Sequence, residues 1–156
     1  MPNLFPVGYQ DAVPDGSKIV EEKPIGYKPG IAFDYEKGDF ARDGRNRTLE
    51  SNGIESYKSW VMNCLQTERY KHLAYSTDFG IETDAVFSAE TRAEAESILV
   101  RQITEAIMAD PYQRTDHIEF IGIDWSIPDT ALVHFFLFGI EDVTIDITAY
   151  ITRGNE

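Results

Sequence analysis

The chain has 156 residues, a formal net charge of -13 and one cysteine, a length that allows one domain to bury about two thirds of its unfolded surface without disulfides or metals. The negative charge argues against nucleic acid as a partner, because binding to phosphates depends on clustered Lys and Arg. The absence of a basic leader and of an apolar run of roughly 20 residues argues against a secretion signal and a membrane span.

The first 30 residues are predicted to form an extended, Pro-rich N-terminal arm. Five of the seven prolines lie within residues 2–29, and each proline fixes its own φ and disfavours a helical conformation at the preceding residue. Apolar side chains, among them Phe5 and Tyr9, favour an arm that docks on another subunit, with a disordered tail as the alternative. Residues 31–156 are predicted to form a single domain.

A short β-hairpin is predicted at the start of this domain. Residues 31–35 and 47–50 are the strand candidates, and turn signals at Gly38 and Gly44 separate them. The acidic side chains between the strands do not follow the order that a calcium-binding loop requires, so a solvated loop is expected.

An amphipathic helix is predicted after Asn52, which can cap its first turn. Cys64 lies on its apolar face and is interpreted as a buried thiol, and a single cysteine fits a reducing cytoplasm. Beyond the helix, residues 72–75 are a strand candidate and residues 81–87 a short helical turn. The apolar face comprises Ile54, Tyr57, Trp60, Val61, Cys64 and Leu65.

A second and longer helix is predicted from the capping-box sequence that begins at Thr91 to the stop signal at Asp110 and Pro111. From Thr115 onward, the spacing of apolar residues changes to the alternation typical of strands. In the first of these strands, one face is predicted to carry Ile118, Phe120 and Gly122, and the other Ile121, Ile123 and Trp125.

Two further strands complete a predicted antiparallel meander. Residues 132–138 form a near-continuous apolar run, whereas the last strand alternates apolar with polar side chains. The fold class is therefore predicted as α+β, with an antiparallel β-meander sheet and two main α-helices packed on one face. The apolar positions of the last strand are Val143, Ile145, Ile147, Ala149 and Ile151.

The segment 53–82 carries the residues that suggest a family. Trp60 lies in mid-helix, Thr67-Glu68-Arg69-Tyr70 follows at the helix exit, and Phe79-Gly80 lies beyond. In these features the chain resembles the sheath-initiator family of contractile-tail baseplates, whose members are historically labelled lysozyme-like. The likeness covers roughly residues 31–152 and is greatest to the branch found in PBSX-type prophages and phage-tail-like bacteriocins.

This resemblance implies a non-enzymatic structural protein, present in several copies, that nucleates the sheath of a phage tail or tail-like particle. Its implied partners are the tail sheath protein and the baseplate wedge and hub or tube proteins. The implied location is the host bacterial cytoplasm during assembly and the particle baseplate afterwards.

The resemblance also points to the joint between the long helix and the sheet, where the family carries a Glu-Pro-Arg motif that contacts wedge proteins. The matching run is Tyr112-Gln113-Arg114, so only the arginine carries over. An arginine at such a joint can also form a two-pronged bond to a carboxylate of its own chain. An internal salt bridge, with a carboxylate not identified by the sequence, is therefore the alternative to a wedge contact.

The last strand suggests how sheath assembly begins. A strand at a sheet edge exposes backbone N–H and C=O groups that can pair with a strand of another chain. Sheath subunits of contractile tails are linked by exchanged strands, and the resemblance implies that residues 143–151 offer the first template. An interior strand that only completes the meander is the alternative.

The historical family label raises a second hypothesis, a peptidoglycan glycosidase. That reaction needs two carboxyl groups about 5 to 9.5 Å apart, one of them with a raised pKa. Glu82, Asp84, Glu119 and Asp124 are candidates without a distinctive spacing. The three histidines lie far apart, and no cysteine stands at ligand spacing from them. No catalytic, cofactor or metal site is therefore predicted.

Overall fold

The computed structural model describes residues 26–34 and 36–154. Most of the predicted N-terminal arm, including its candidate contact residues Phe5 and Tyr9, lies outside the described residues. None of the described helices is long and apolar enough to span a membrane.

Two short antiparallel strand pairs replace the single hairpin predicted before the first helix. Strand β1 (Gly30–Ile31) pairs with β4 (Glu50–Ser51), and β2 (Phe33–Asp34) pairs with β3 (Asp39–Phe40). In the turn after β2, the Asp34 carboxylate accepts hydrogen bonds from the backbone N–H groups of Glu36 and Lys37. The bond from the Lys37 N–H is the largest cause of the lowered pKa of Asp34, and the two bonds assign this acidic side chain to a turn.

Helix α1 (Gly53–Gln66) follows the sequence prediction closely. The Asn52 side chain accepts a hydrogen bond from the backbone N–H of Glu55, which satisfies one free donor of the first turn. Ile54 was expected on the apolar face, but it is 42% exposed because it lies at the helix entrance. The buried residues of α1 are Tyr57, Val61, Cys64 and Leu65.

The segment between α1 and the next helix is a bend, so the strand predicted at residues 72–75 is wrong; turns occupy that stretch. Backbone hydrogen bonds from Arg69 N–H to Ile81 C=O and from Ile81 N–H to Thr67 C=O close the bend. Gly80 has a φ of +93°, and a Cβ there would lie 2.5 Å from the Thr67 carbonyl oxygen. Only glycine fits this close approach of two backbones.

Two helices follow this bend. The short α2 (Thr83–Phe87) occupies the predicted helical turn, and α3 (Arg92–Met108) begins where Thr91 accepts a hydrogen bond from the backbone N–H of Glu94. Every third or fourth residue of α3 points to the core, as its sequence predicts. The buried residues of α3 are Ala95, Leu99, Gln102, Ile103, Ala106 and Ile107.

A three-stranded antiparallel sheet completes the domain and confirms the α+β prediction. Strands β5 (Thr115–Asp124), β6 (Thr130–Gly139) and β7 (Thr144–Thr152) lie in the order β5-β6-β7. One face of the sheet forms a single hydrophobic core with α1 and α3. The residues of β6 and β7 in that core are Ala131, Val133, Phe135, Leu137, Ile145, Ile147, Ala149 and Ile151.

A β-bulge interrupts the predicted alternation of β5. The pairing with β6 shifts between Phe120 and Gly122, so Ile121 is an extra residue with 53% of its surface exposed. Past the bulge, Ile123 and Trp125 pack against the same core as Phe120. The prediction that Ile123 and Trp125 face away from Phe120 is therefore wrong, because one added residue reverses the side-chain alternation.

Candidate functional site

The connection between α3 and β5, residues 110–115, is called the Arg114 corner below. Asp110 follows the C-terminal end of α3, and Gln113 adopts a φ of +49°, which turns the chain toward the sheet. Asp110 is buried, with 3% of its surface exposed. Its carboxylate accepts hydrogen bonds from the backbone N–H groups of Tyr112 (3.3 Å) and Arg114 (3.1 Å). This side chain therefore holds the loop in its bent shape.

Asp110 is also the carboxylate partner of Arg114. The Arg114 Nε lies 2.8 Å from Asp110 Oδ2, and Nη2 lies 3.0 Å from Oδ1, a two-pronged arrangement. The guanidinium carbon also lies 4.3 Å from the ring centre of Tyr57, with the rings of Tyr112 and Trp60 at 5.2 and 5.5 Å. With 11% of its side chain exposed, Arg114 is occupied by internal contacts.

Two tyrosines extend the corner toward the beginning of the described chain. The Tyr57 hydroxyl is hydrogen-bonded to the Thr115 hydroxyl, and burial raises the pKa of Tyr57 to about 12. The Tyr27 hydroxyl donates to the Arg114 carbonyl at 2.9 Å, and burial raises the pKa of Tyr27 as well. The arm was predicted to dock on another subunit through apolar residues that include Phe5 and Tyr9. The contact that Tyr27, an aromatic residue of the same Pro-rich stretch, makes within the chain was not predicted.

The surface of the corner is formed by the two residues before Arg114. Tyr112 has 48% of its surface exposed, and Gln113 is also exposed. The three residues predicted to bind a partner are therefore adjacent, but they differ in accessibility. Tyr112 and Gln113 are available to a partner, whereas Arg114 positions them through Asp110.

The second candidate surface is the free edge of β7. This strand pairs with β6 along its length, and no other described strand pairs with its opposite side. Hydrogen bonds from Gly139 N–H to Val143 C=O and from Arg153 N–H to Asp129 C=O flank the pairing. The register of β6 and β7 between these two bonds is regular. The backbone groups of the odd-numbered residues of β7 therefore bond to β6, and those of the even-numbered residues point away from it.

In β7, the odd-numbered side chains are buried and the even-numbered ones are exposed. The side chains of Ile145, Ile147, Ala149 and Ile151 are buried in the core, and Val143 precedes the strand and is partly buried. The outward backbone groups belong instead to the intervening residues. These residues are Thr144, Asp146, Thr148, Tyr150 and Thr152, whose side chains are exposed.

Two depressions lie between α1 and this edge. The larger has a volume of about 670 Å³ and reaches Asp146 and Thr148, and the smaller, about 440 Å³, reaches Tyr150 and Thr152. They follow the outward-directed residues along the strand, so space for side chains lies beside the unpaired backbone. The residues of α1 in their walls are Glu55, Lys58, Ser59, Met62, Leu65 and Gln66.

The carboxyl groups considered for glycoside hydrolysis belong to two elements, with one pair on β5 and the other at α2. Glu119 and Asp124 are exposed on β5, Glu82 precedes α2, and Asp84 is exposed within it. Hydrogen bonds from Ser126 lower the pKa of Asp124, the opposite of the shift that a general acid needs.

The described residues also lack the arrangement of a metal site or an activated thiol. They contain no group of three or more His, Cys, Asp or Glu side chains placed to hold a metal ion. Cys64 is buried, and burial raises the pKa of its thiol, which disfavours the reactive thiolate. The prediction that Cys64 is buried on the apolar face of α1 is confirmed.

Comparison with known families identifies the chain. The model of the contractile injection system sheath initiator family matches residues 30–135, which include α1, the bend closed by Gly80 and the Arg114 corner. The chain belongs to the sheath-initiator family. This finding confirms the family suggested by Trp60 and the segment 67–80. A search of curated proteins finds no match.

Membership of the sheath-initiator family makes the chain a structural component of a contractile injection system and implies interaction with sheath and baseplate components. A position in the baseplate of a tail particle fits this membership. The match does not distinguish branches of the family, so the likeness to PBSX-type prophages and bacteriocins stays a prediction. It ends within β6, and the β7 edge is therefore described from the structure alone.

Proposed function

We propose that the chain nucleates polymerisation of the tail sheath by pairing the free edge of β7 with a strand of the first sheath ring. One observation carries this proposal: outward N–H and C=O groups recur at alternate residues of β7 beside the open depressions along α1. Strand addition uses such backbone groups for affinity and neighbouring depressions for specificity. The proposed role is structural and includes no catalysis.

The depressions indicate which side chains the incoming strand carries. Alternate side chains of an added strand point toward α1 and away from it. Those pointing toward α1 would meet Met62 and the aliphatic part of Lys58 in the larger depression. The smaller depression offers Leu65 beside Gln66. A strand with apolar residues at alternate positions fits this lining.

The baseplate contacts are proposed to lie at the Arg114 corner. Tyr112 and Gln113 would contact wedge proteins, and Arg114 would hold both in place through its bond to Asp110. The arm, through Phe5 and Tyr9, would grip wedge and hub or tube proteins. Several copies assembled in the bacterial cytoplasm would then present a ring of β7 edges to the sheath protein.

A proline at position 148 tests the sheath contact. The Thr148 N–H points away from β6, so Thr148→Pro removes a donor from the free edge and is compatible with the existing sheet. We expect baseplates that contain the variant but carry no sheath, as seen by electron microscopy of purified particles. Normally sheathed particles from Thr148→Pro would refute the mechanism.

Two companion variants separate edge pairing from folding. Thr148→Ala keeps the N–H and should give normal sheaths. Ala149→Pro removes an N–H that bonds to β6, so it should lower stability markedly. Deletion of residues 143–156 is less informative, since it also removes the buried side chains of β7 from the core.

The catalytic hypothesis has a direct test. Purified protein should leave a cell-wall suspension turbid, even at high protein concentration. Clearing that disappears in Glu82→Gln or Glu119→Gln would establish a glycosidase and contradict a purely structural role.

A further inference from the structure

The face of the sheet opposite the helices, called the outer sheet face, has an unusual composition. On β6, the central strand, Leu132, Phe136 and Phe138 are directed to this face and are partly exposed, with His134 between Leu132 and Phe136. None of these three belongs to the core between sheet and helices. A solvated face of an antiparallel sheet normally carries polar side chains, so an apolar row along the central strand indicates an interaction surface.

Exposed apolar groups on the two neighbouring strands widen this row. Ile121, at the bulge of β5, is 53% exposed, and Tyr150 of β7 is 57% exposed. Gly122 follows the bulge, and a Cβ there would meet nothing within 4 Å. Together with Leu132, Ile121 and Gly122 line an open depression of about 390 Å³. The surface therefore has relief into which an apolar side chain of another molecule fits.

The charge of the outer sheet face has a single sign. Strands β5, β6 and β7 contain no Lys or Arg. Exposed carboxylates surround the apolar row, at Asp116, Glu119 and Asp124 on β5 and at Asp146 on β7. Asp116 and Asp146 are hydrogen-bonded to His117 and His134, whereas the Glu119 carboxylate points to solvent. An apolar row with an acidic border complements an apolar segment flanked by Lys or Arg.

We propose that the outer sheet face binds a basic, amphipathic segment of a neighbouring particle subunit. A second copy of this chain is a poor occupant, because two such faces would bring carboxylates of like charge together. The contact is distinct from the β7 edge, since it uses side chains on the face rather than backbone groups at the rim. This proposal therefore does not depend on strand addition at the β7 edge.

Photocrosslinking in the assembled particle tests this proposal. The full-length chain is produced with the photoreactive residue p-benzoylphenylalanine at position 136, in place of Phe136, and is incorporated into its own particles. A second variant carries it at Ile121, where greater exposure makes the replacement compatible with folding. A third carries it at Glu90, an exposed position before α3, as the background control.

After irradiation, the linked peptide is identified by mass spectrometry. We expect positions 136 and 121 to link to one peptide of a different subunit, with Lys or Arg beside apolar residues. No adduct above the Glu90 background, a net acidic linked peptide, or a second copy of this chain would each overturn the proposal.

The charge complement is tested with Glu119. With the photoreactive residue at position 121, Glu119→Lys should lower the adduct yield about tenfold, because the new charge repels a basic partner. Glu119→Gln should lower the yield by less, because it only removes the attraction of the carboxylate. Glu90→Lys, a charge reversal away from this face, should leave the yield unchanged. Equal yields from Glu119→Lys and the unchanged chain would refute the basic character of the partner.

Discussion

The Arg114 corner and the free edge of β7 differ in whether their polar groups are paired within the chain. At the corner, a buried carboxylate, a guanidinium and backbone N–H groups bond to one another within the chain. Along β7, alternate N–H and C=O groups have no strand opposite them among the described residues. The corner is therefore closed and the edge is open to a partner.

This difference shows that a charged residue in a family motif can be occupied by contacts within its own chain. Arg114 was the principal sequence candidate, yet Asp110 neutralises it inside the domain. The outward groups of β7 belong to threonines, Asp146 and Tyr150, which no sequence motif marks as contact residues. Main-chain groups are present at every residue, so only the register shows which are available.

Removal of the corner carboxylate is expected to have the largest effect. Asp110→Ala leaves the Arg114 guanidinium buried without its partner, which should cost about 3 to 5 kcal/mol of unfolding free energy. Urea denaturation of the purified protein measures this loss. As a control, Arg101→Ala breaks an exposed pair with Glu105 and should cost less than about 1 kcal/mol. Similar costs for the two variants would mean that the corner is not a closed structural unit.

Neighbouring residues of β7 should separate the two functions of that strand. Ile147 is fully buried, and Ile147→Ala should lower the unfolding free energy by about 2 to 5 kcal/mol through the cavity it leaves. Thr148→Ala, one residue later on the exposed side, should change it by less than about 0.5 kcal/mol. Chemical denaturation of both variants measures the difference. A large loss from Thr148→Ala would show that this side of the strand is already packed in the isolated domain.

The alkaline limit of stability should depend on the corner. The pKa of Tyr57 is raised from 10.0 to about 12, so its contribution is fully present below pH 10 and is lost as pH rises toward 12. The loss corresponds to roughly 2 to 3 kcal/mol. In Tyr57→Phe this part of the pH dependence should be absent, with the Thr115 hydrogen bond lost at every pH. Unfolding free energies measured across this range provide the test, and an unchanged slope in Tyr57→Phe would contradict it.

Only a small effect on stability is expected at the exposed part of the corner. Tyr112→Ala removes a ring that lies 5.2 Å from the Arg114 guanidinium, which should cost about 0.5 to 1 kcal/mol. If Tyr112 contacts wedge proteins, the variant should nevertheless reduce incorporation into baseplates, measured by quantitative immunoblotting of particles. Tyr70→Ala, at a tyrosine with 65% exposure, is the matched control. Equal incorporation of both variants would argue against a partner contact at Tyr112.

Long elements with regular spacing were predictable from local sequence. Helix α3 begins at its predicted cap, and the apolar alternation of β7 matches its burial. The strand predicted at residues 72–75 failed because its apolar residues lie in a bend that Gly80 closes through contacts distant in sequence. Beyond the bulge of β5, the predicted faces failed because an inserted residue at Ile121 is invisible to a strict period of two.

The sequence by itself determined the family, the α+β class and the residues of the helical and β7 core stripes, since these depend on residue types at short, regular spacing. Only the tertiary structure decided that Asp110 is the partner of Arg114, that β7 lies at an edge and that the outer sheet face is apolar and acidic. These features depend on which elements become neighbours and in what register. Interactions between residues distant along the chain set both, and local spacing carries no record of them.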